Sequence, residues 1–543
     1  MRKDQRVYLF DTTLRDGQQS PGAGMSFEDN LTYAQYADEL GIDILEAGFP
    51  ASGKYEFDIV HAISEKMAVQ QSAMTIAALC QLREEQLITT MEALQPGCKN
   101  GKSRIHTYVP VDPNLMQASL GNKASDYSYI INEVYRLIKI AADEGFEVQF
   151  SPEGYSRMQL NFDFTTDVIR AAVSAGANIM NCPDTIGGAS RFQGKDYFVQ
   201  HMQQHADIIS GEFPEREIIW SAHCHNDLGL ALDNTMTAVF AGPARQIEGC
   251  INGVGERAGN VALEQCIMII KQFGQMANPD YHFYTNANLN VIKKISDMIS
   301  EKMLIRQHHW PITGANAARH TSGGHTNAII KNPLAYQPFD PECVGHQISF
   351  VFGPLSGSNH VREILEKHEY MCSHEEKTVL TQAIKNRYSE RRKGITDEEL
   401  IHAYKEYRSP IQIEKITYDK DAAGQTFAHL QGKFFSETNI TVYCNGENSA
   451  LAALDNAVKK YFDGVEISEY RSNSGTEKTV NAKCHSSIIV TLKNGMSYIG
   501  KAVDPDISIS SMKAYIDAVN QAYVNTFFRK ENPHVQENCH SFG

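Results

Sequence analysis

The chain lacks long apolar runs and paired cysteines. No apolar run approaches the ~18 residues needed to cross a bilayer, and the N-terminal "MRKDQRVYLFDTT" lacks the apolar segment of a secretory signal. Its 11 cysteines include no C-x-x-C pair, and most lie in apolar stretches such as "IAALCQL". We therefore expect reduced, buried thiols in a cytoplasmic protein with no membrane span.

Positive charge is also scarce. The chain has 50 Lys and Arg against 65 Asp and Glu, a formal net charge of −15 at pH 7. This balance argues against a general nucleic-acid surface, because phosphate binding depends on clustered positive charge. With 543 residues, 42% hydrophobic and 21% charged, the composition is that of a soluble globular protein with several domains.

The first half of the chain alternates short apolar runs with helical patterns, which is typical of βα units. Eight runs fit strands: "VYLFDTT", "DILEAGF", "TIAAL", "RIHTYVP", "EVQFSPE", "NIMNCPDT", "IIWSAHCH" and "QIEGCING". Between them lie amphipathic segments such as "FEDNLTYAQYADELG", in which Gly41 marks the helix end. Eight units in roughly 270 residues predict a (β/α)₈ barrel, with a doubly wound sheet as the alternative.

Two further regions follow the predicted barrel. We place the barrel at 1–285, a helical linker at 286–410 and a C-terminal α+β domain at 411–543. The linker contains a capping box formed by Thr396 and Glu399 in "TDEELIHAYKEY". The last region contains a hairpin with an Asn-Gly turn, "SIIVTLKNGMSYIGKAV", and is predicted to be a duplicated ββα unit of regulatory or dimer-forming type.

Polar residues follow or end the predicted barrel strands. In a barrel of this kind, reacting groups come from the C-terminal ends of several strands. The residues at these positions are Arg15, Asp16, Glu46, His106, Ser151, Glu153, Asp184, Thr185, His223 and His225. Their convergence at one barrel end predicts an active site there.

The segment "SAHCHNDLGLALDN" predicts a metal centre. Residues two apart on a strand point to the same face, so His223 and His225 project together and Cys224 faces away. Asp16 would supply a carboxylate and Asn260 a carbonyl oxygen, a mixed N/O set that suits Mg²⁺, Mn²⁺ or Zn²⁺. A 2-oxo acid could chelate such an ion through its carboxylate and ketone, with Arg15 stabilising charge on the ketone oxygen.

Four segments in this order carry a family resemblance: "FDTTLRDGQQSPG", "LEAGFPASG", "HCHNDLGLALDNTMTA" and "NGVGERAGN". They resemble the 2-isopropylmalate synthase family of acetyl-CoA-dependent Claisen condensing enzymes, related to homocitrate and citramalate synthases and more distantly to hydroxymethylglutaryl-CoA lyase. "YQPFDPECVG" and "VFGPLSGSNHVREIL" resemble the family's linker subdomains, and "AVDPDISISSMKAYIDAVN" resembles its allosteric domain.

The resemblance implies roles for individual residues. Asp16, His223, His225 and Asn260 match the metal ligands, and Arg15 matches the arginine that polarises the 2-oxo acid. The positions that match the 2-oxo acid pocket and its supporting carboxylates are His106, Ser151, Glu153, Thr185, Glu46 and Glu256. His325 matches a histidine that helps to deprotonate the acetyl group, and Tyr336 a tyrosine tied to turnover.

The resemblance also implies a reaction and its partners. Acetyl-CoA would condense with 3-methyl-2-oxobutanoate to give 2-isopropylmalate and CoA, in a divalent-metal-dependent homodimer with an amino-acid effector such as leucine. No nucleic-acid or membrane partner is expected. The segments "DTIGGAS" and "RHTSGGHTNA" depart from the family pattern, which leaves the identity of the 2-oxo acid open. Citramalate or homocitrate synthesis, a retro-aldol lyase and a catalytically silent effector-binding protein stay as alternatives.

Overall fold

The chain forms two compact units in a computed structural model that describes residues 2–305, 308–353, 356–390, 394–422, 425–443, 449–474 and 483–530. Unit 1 consists of Met1–Ala318 and Phe339–Ile348, and unit 2 of Arg319–Pro338 and Ser349–Gly543. The three-part division at 285 and 410 stays a prediction. No helix among the described residues is long and apolar enough to cross a membrane, and the nine described cysteines are all free.

Unit 1 contains a closed barrel of eight parallel strands, which confirms the predicted (β/α)₈ fold and excludes the doubly wound sheet. The strands of unit 1 are β1 (Lys3–Arg6), β2 (Tyr8–Asp11), β3 (Ile44–Glu46), β4 (Thr75–Gln81), β5 (Ser103–Pro110), β6 (Glu147–Glu153), β7 (Ile179–Asp184), β8 (Ile219–Cys224), β9 (Ala244–Gly249) and β10 (Tyr281–Tyr284). Strands β2 to β9 form the barrel, and pairing of Tyr8 with Gln246 closes it. Strands β1 and β10 pair outside it.

Helices cover the outside of the barrel strands. They are α1 (Phe27–Leu40), α2 (Lys54–Val69), α3 (Glu84–Cys98), α4 (Pro113–Leu120), α5 (Tyr127–Asp143), α6 (Phe162–Ala175), α7 (Phe198–Glu212), α8 (Ala231–Phe240), α9 (Leu263–Phe273) and α10 (Ile292–Lys302). Helix α1 begins after Ser26, whose side chain accepts from Asp29 N, and it ends at Gly41, whose φ is 85°. The predicted stop at Gly41 is therefore present.

The interior of the barrel is polar as well as apolar. Side chains two residues apart on β5, β6 and β9 point inward, because the residues between them, Ile105, Phe150 and Ile247, belong to the outer apolar core. The inward pairs are Arg104 with His106, Gln149 with Ser151, and Gln246 with Glu248. The second residue of each pair lies toward the C-terminal end of its strand, where the predicted site residues are.

Unit 2 contains helices followed by two small antiparallel sheets. Its elements are β11 (Arg319–His320), α11 (Gly323–Lys331), β12 (Ser349–Phe350), α12 (Ser358–Lys367), α13 (Glu376–Arg387), α14 (Asp397–Arg408), β13 (Ile411–Lys420), β14 (Thr426–Phe434), β15 (Glu437–Tyr443), α15 (Ala450–Lys459), β16 (Val465–Ser474), β17 (Cys484–Leu492), β18 (Ser497–Asp504) and α16 (Ile507–Phe527). The predicted capping box of Thr396 and Glu399 begins α14.

The C-terminal α+β region is duplicated, as expected, but each repeat has three strands and one helix. Strands β13, β14 and β15 precede α15, and β16, β17 and β18 precede α16. The additional strands, β13 and β16, were not identified because both are mostly exposed or half-buried, so the hydrophobic alternation that signals a strand is weak there. The Asn-Gly turn is present at Gly495, whose φ is 83°.

Gly259, in the loop between β9 and α9, is predicted to be intolerant of a side chain. Its φ is 85°, and a Cβ there would lie 2.0 Å from the Gly253 carbonyl oxygen. Gly259→Ala should therefore destabilise unit 1 by about 1–3 kcal/mol. Denaturant unfolding followed by tryptophan fluorescence measures this, because both tryptophans, Trp220 and Trp310, lie in unit 1.

The matched control is Gly211→Ala in α7. A Cβ at Gly211 meets nothing within 4 Å, and alanine is the better helix former, so this variant should be at least as stable as the parent. Equal unfolding curves for the two variants would show that the Gly259 loop relaxes freely.

Candidate metal centre and active site

Three ligand-type side chains meet at the C-terminal end of the barrel. The Nε2 atoms of His223 and His225 lie 3.3 Å apart, and they lie 3.7 Å and 3.8 Å from Asp16 Oδ2. All three residues are buried. Cys224 points the other way, into the outer apolar core. The strand alternation in "HCH" thus brings both imidazoles to one face and keeps the thiol away.

The polar atoms of these side chains are better suited to bind a divalent cation than to form hydrogen bonds with one another. Asp16 Oδ1, His225 Nδ1 and Asn260 Oδ1 are buried without a hydrogen-bond partner among the described residues. Asn260 is held beside His225 by an isolated β-bridge, and its Nδ2 donates to Val254 O at 3.2 Å. Buried polar groups normally have partners, and a carboxylate, two imidazoles and an amide oxygen are ligands that divalent cations take.

The protonation states also suit a cation. Burial, together with the neighbouring His225, lowers the pKa of His223 to about 3, and burial lowers the pKa of His225. Burial opposes ionisation of Asp16, but Arg15 and the two histidines hold the pKa of that carboxyl below its ordinary value. Neutral imidazoles and an ionised carboxylate are the forms that bind metal.

Arg15 lies at the centre of three buried carboxylates. Its Nε donates to Glu46 Oε2 at 2.7 Å, its NH1 donates to Asp16 Oδ2 at 2.9 Å, and its NH2 lies 3.5 Å from Glu248 Oε1. Burial alone would lower the pKa of Arg15, but the three carboxylates raise it above its ordinary value. Arg15 therefore forms an ion pair with Glu46, and the guanidinium also borders the cluster of Asp16, His223 and His225.

His106 belongs to a hydrogen-bond chain across the strand ends. Its Nδ1 lies 2.5 Å from Glu46 Oε1, and its Nε2 lies 2.7 Å from Ser151 Oγ. Asn181 Nδ2 donates to the same Ser151 Oγ at 2.9 Å, and Thr12 Oγ1 donates to Glu46 Oε2 at 2.5 Å. Both ring nitrogens of His106 are engaged, so the nearby group of Glu46, His106 and Glu248 is poorly suited to hold a second metal.

The predicted pocket residues Glu153 and Thr185 lie at the ends of β6 and β7. Thr185 Oγ1 accepts from Gly154 N at 3.0 Å. Glu153 is half-buried, and burial raises its pKa, with Arg15 opposing and Asp112 adding to the shift. Asp184, by contrast, stabilises the loop that follows β7. Its carboxylate accepts hydrogen bonds from Ser156 Oγ and from two backbone N–H groups.

Of the remaining predicted site residues, Glu256 is outside this cluster, and His325 and Tyr336 belong to unit 2. Glu256 has a 59% exposed side chain whose nearest charged partner is Arg257, at 3.8 Å. His325 and Tyr336 belong to unit 2, where their rings stack 4.0 Å apart at 22°. The structure pairs these two with each other, and their roles stay predictions.

Sequence reasoning missed the carboxylate of Glu248. Glu248 follows Gln246 by two residues on β9, so both side chains point into the barrel. Glu248 is 1% exposed, and its carboxylate contacts Arg15 and His223. Burial raises the pKa of Glu248, to about 7. The inward alternation of "RQIEG" could have indicated it, but the segment was interpreted only as an apolar strand.

The fold and this side-chain set define a (β/α)₈ barrel enzyme of the metal-dependent kind. The HMGL-like family model, which represents a metal-dependent superfamily, matches residues 6–299. The model of the homocitrate synthase post-HMGL domain-like family matches 312–392, and that of the LeuA allosteric (dimerisation) domain matches 396–523.

Relatives that match nearly the whole chain identify the family within this class. The 2-isopropylmalate synthase of Chromobacterium violaceum is 31% identical over 533 residues, covering 95% of this chain and 97% of that protein. That of Rhodopseudomonas palustris is 32% identical over 530 residues, covering 96% and 95%. A crystal structure of a Bacillus subtilis HMG-CoA lyase covers 56% of this chain and 95% of its own, with 19% identity and a TM-score of 0.43. The chain belongs to the 2-isopropylmalate synthase family of transferase-type condensing enzymes, which confirms the resemblance.

Replacement of either strand-end histidine is predicted to abolish tight metal binding. His223→Ala or His225→Ala removes a ligand, so each should weaken Mn²⁺ binding by more than the roughly 10–100-fold typical for loss of an outer partner. Isothermal titration calorimetry with Mn²⁺ measures this. The control is His205→Gln, because burial also lowers the pKa of His205 to about 3, yet its ring is held by Tyr155 and Thr166. Comparable loss in all three variants would argue against a specific site.

Proposed function

We propose that this chain is a 2-isopropylmalate synthase, which condenses acetyl-CoA with 3-methyl-2-oxobutanoate and releases 2-isopropylmalate and CoA in leucine biosynthesis. The observation that carries the proposal is the position of Arg15 beside the Asp16, His223 and His225 cluster. The names of relatives that match nearly the whole chain support the choice of substrate.

Asp16, His223, His225 and Asn260 would hold Mg²⁺, Mn²⁺ or Zn²⁺, which when bound acts as a Lewis acid on the 2-oxo acid. Arg15 presents N–H groups beside the same place, so it would stabilise negative charge that develops on the ketone oxygen. Arg15 is already ordered by Glu46 and Glu248, so little reorganisation would accompany the reaction.

The carbon nucleophile would come from acetyl-CoA. A base removes a proton from the acetyl methyl group, and the resulting enolate carbon forms a bond to the ketone carbon, whose oxygen takes the negative charge and then a proton. Water next attacks the thioester carbonyl, and the C–S bond breaks to release CoA as a thiol. Glu153 and His325 are the candidate bases, and the raised pKa of Glu153 suits a proton acceptor.

The 2-oxo acid would lie over the strand ends that carry His106, Ser151, Glu153 and Thr185. Glu46 holds both Arg15 and His106, so it would fix the two walls of the pocket relative to each other. The proposed role of Glu256 is that of a second supporting carboxylate, and its exposed side chain lies beside Arg257.

The C-terminal domain would form a homodimer and bind an effector. This proposal rests on the match to the LeuA allosteric (dimerisation) domain at 396–523. Leucine is the proposed effector. Residues 444–448, in the segment "CNGENSALAAL", lie outside the described residues.

Thiol release tests the reaction directly. We expect acetyl-CoA-dependent thiol release with Mg²⁺ or Mn²⁺ to be greatest with 3-methyl-2-oxobutanoate, and to stop when a chelator is added. Pyruvate, 2-oxobutanoate and 2-oxoglutarate are the comparison substrates. A maximum with one of these would change the substrate within the family, and no release with any of them would contradict the proposed synthase activity.

His325→Ala tests the base. If His325 helps to remove the acetyl proton, this variant should lower the turnover of thiol release by about 10²-fold or more while Mn²⁺ and 2-oxo acid binding stay near those of the parent. The control is His402→Ala, an exposed histidine of the same unit on α14. Full turnover in the His325 variant would remove this residue from the mechanism.

A further inference from the structure

A chain of buried polar side chains crosses the inside of the barrel below the candidate metal centre. Arg104 NH1 donates to Gln246 Oε1 at 2.7 Å and to Gln149 Oε1 at 3.1 Å. Gln149 Nε2 donates to Glu248 Oε2 at 2.7 Å. Strand β9 does not pair with β5 or β6, so these side chains meet only through the interior. All four are buried.

The direction of each hydrogen bond in this chain follows from Arg104. A guanidinium can only donate, so the oxygen of the Gln149 amide must face Arg104 and its nitrogen must face Glu248. Gln246 Nε2 also donates to Gln149 Oε1, at 2.9 Å, which holds the amide in the same orientation. An inverted Gln149 would direct its NH₂ group against two donors. Gln149 is therefore a fixed donor to Glu248.

Donors surround the carboxylate of Glu248. Gln149 occupies Oε2, and Arg15 NH2, which also can only donate, lies 3.5 Å from Oε1. On the same Oε1, at 3.2 Å, lies His223 Nδ1. This last contact is at ion-pair distance but is not aligned as a hydrogen bond, and His223 Nδ1 has no hydrogen-bond partner within the described ranges. A small rotation of the imidazole would give Nδ1–H an acceptor that is already oriented.

We propose that Arg104, Gln149 and Glu248 act as positioning residues that fix His223 in its Nδ1–H form. Glu248 Oε1 accepts a hydrogen bond from His223 Nδ1–H, which leaves the Nε2 lone pair directed toward Asp16 and His225, where a divalent cation would bind. The proposal rests on the metal centre of the proposed function. Side chains inside the barrel, on β5 and β6, would thus help to set the tautomer of His223 on β8.

Two variants separate hydrogen-bond direction from charge. Glu248→Gln replaces one of the two carboxylate oxygens by an NH₂ group. Gln149 and His223 face different ones of these two positions, so one of the two donors then meets the NH₂ group. The exchange variant, Gln149→Glu combined with Glu248→Gln, restores the order. The new carboxylate at 149 accepts from Arg104 and from the amide at 248, whose oxygen again accepts from His223. The exchange variant has the same net charge as the parent.

The experiment measures Co²⁺ and Mn²⁺ affinity by calorimetry and the visible absorption of bound Co²⁺, on the full-length chain. Glu248→Gln should weaken binding by about 10–100-fold and change the Co²⁺ spectrum. The exchange variant should recover affinity to within a few-fold of the parent. The control is Asp43→Asn, because Asp43 bonds Arg6 and Leu9 N before the first residue of β3, at the opposite barrel end.

Each result decides the proposal. Parent-like affinity in Glu248→Gln would overturn it, and so would an exchange variant as weak as Glu248→Gln, since charge at position 248 would then be what matters. If Glu248→Gln does not fold, the exchange variant alone decides by binding Co²⁺ well or poorly. Thiol release is measured separately, so a parent chain that binds Co²⁺ but condenses no 2-oxo acid contradicts the proposed function and not this inference.

Discussion

The ion-pair cluster around Arg15 is the interaction on which the candidate site depends. One guanidinium, 11% exposed, faces the carboxylates of Asp16, Glu46 and Glu248. Buried carboxylates would each be strongly destabilised without a partner, and Arg15 stabilises all three at once because its planar group presents donors in several directions. Each carboxylate also contacts a different group. Asp16 lies beside the two strand-end histidines, Glu46 is hydrogen-bonded to His106, and Glu248 is hydrogen-bonded to the polar network inside the barrel.

This arrangement explains why the barrel interior is polar. Interiors of such barrels are usually filled by branched apolar side chains, and a buried polar network destabilises the fold unless every member is hydrogen-bonded. Here Arg104, Gln149 and Gln246 satisfy one another and end on Glu248. The network therefore replaces an apolar layer by one with a defined hydrogen-bond direction, and it ends on Glu248, whose Oε1 lies 3.2 Å from His223 Nδ1.

Much of the fold and part of the site could be predicted from local patterns. The eight strands were found because parallel strands covered on both faces appear as short apolar runs. The pairing of His223 with His225 followed from the two-residue period of a strand, and the structure brings them within 3.3 Å. Strand β13 was missed because exposed antiparallel strands carry too few apolar residues.

By itself the sequence determined the order of strands and helices, the helix end at Gly41, and the common face of His223 and His225, because these depend on neighbours within a few residues. Only the tertiary structure decided which distant polar groups meet. Arg104 reaches Gln246 across 142 positions and Arg15 approaches Glu248 across 233, and no local period encodes those contacts. They exist because the barrel closes, which brings inward side chains of non-neighbouring strands within hydrogen-bonding distance.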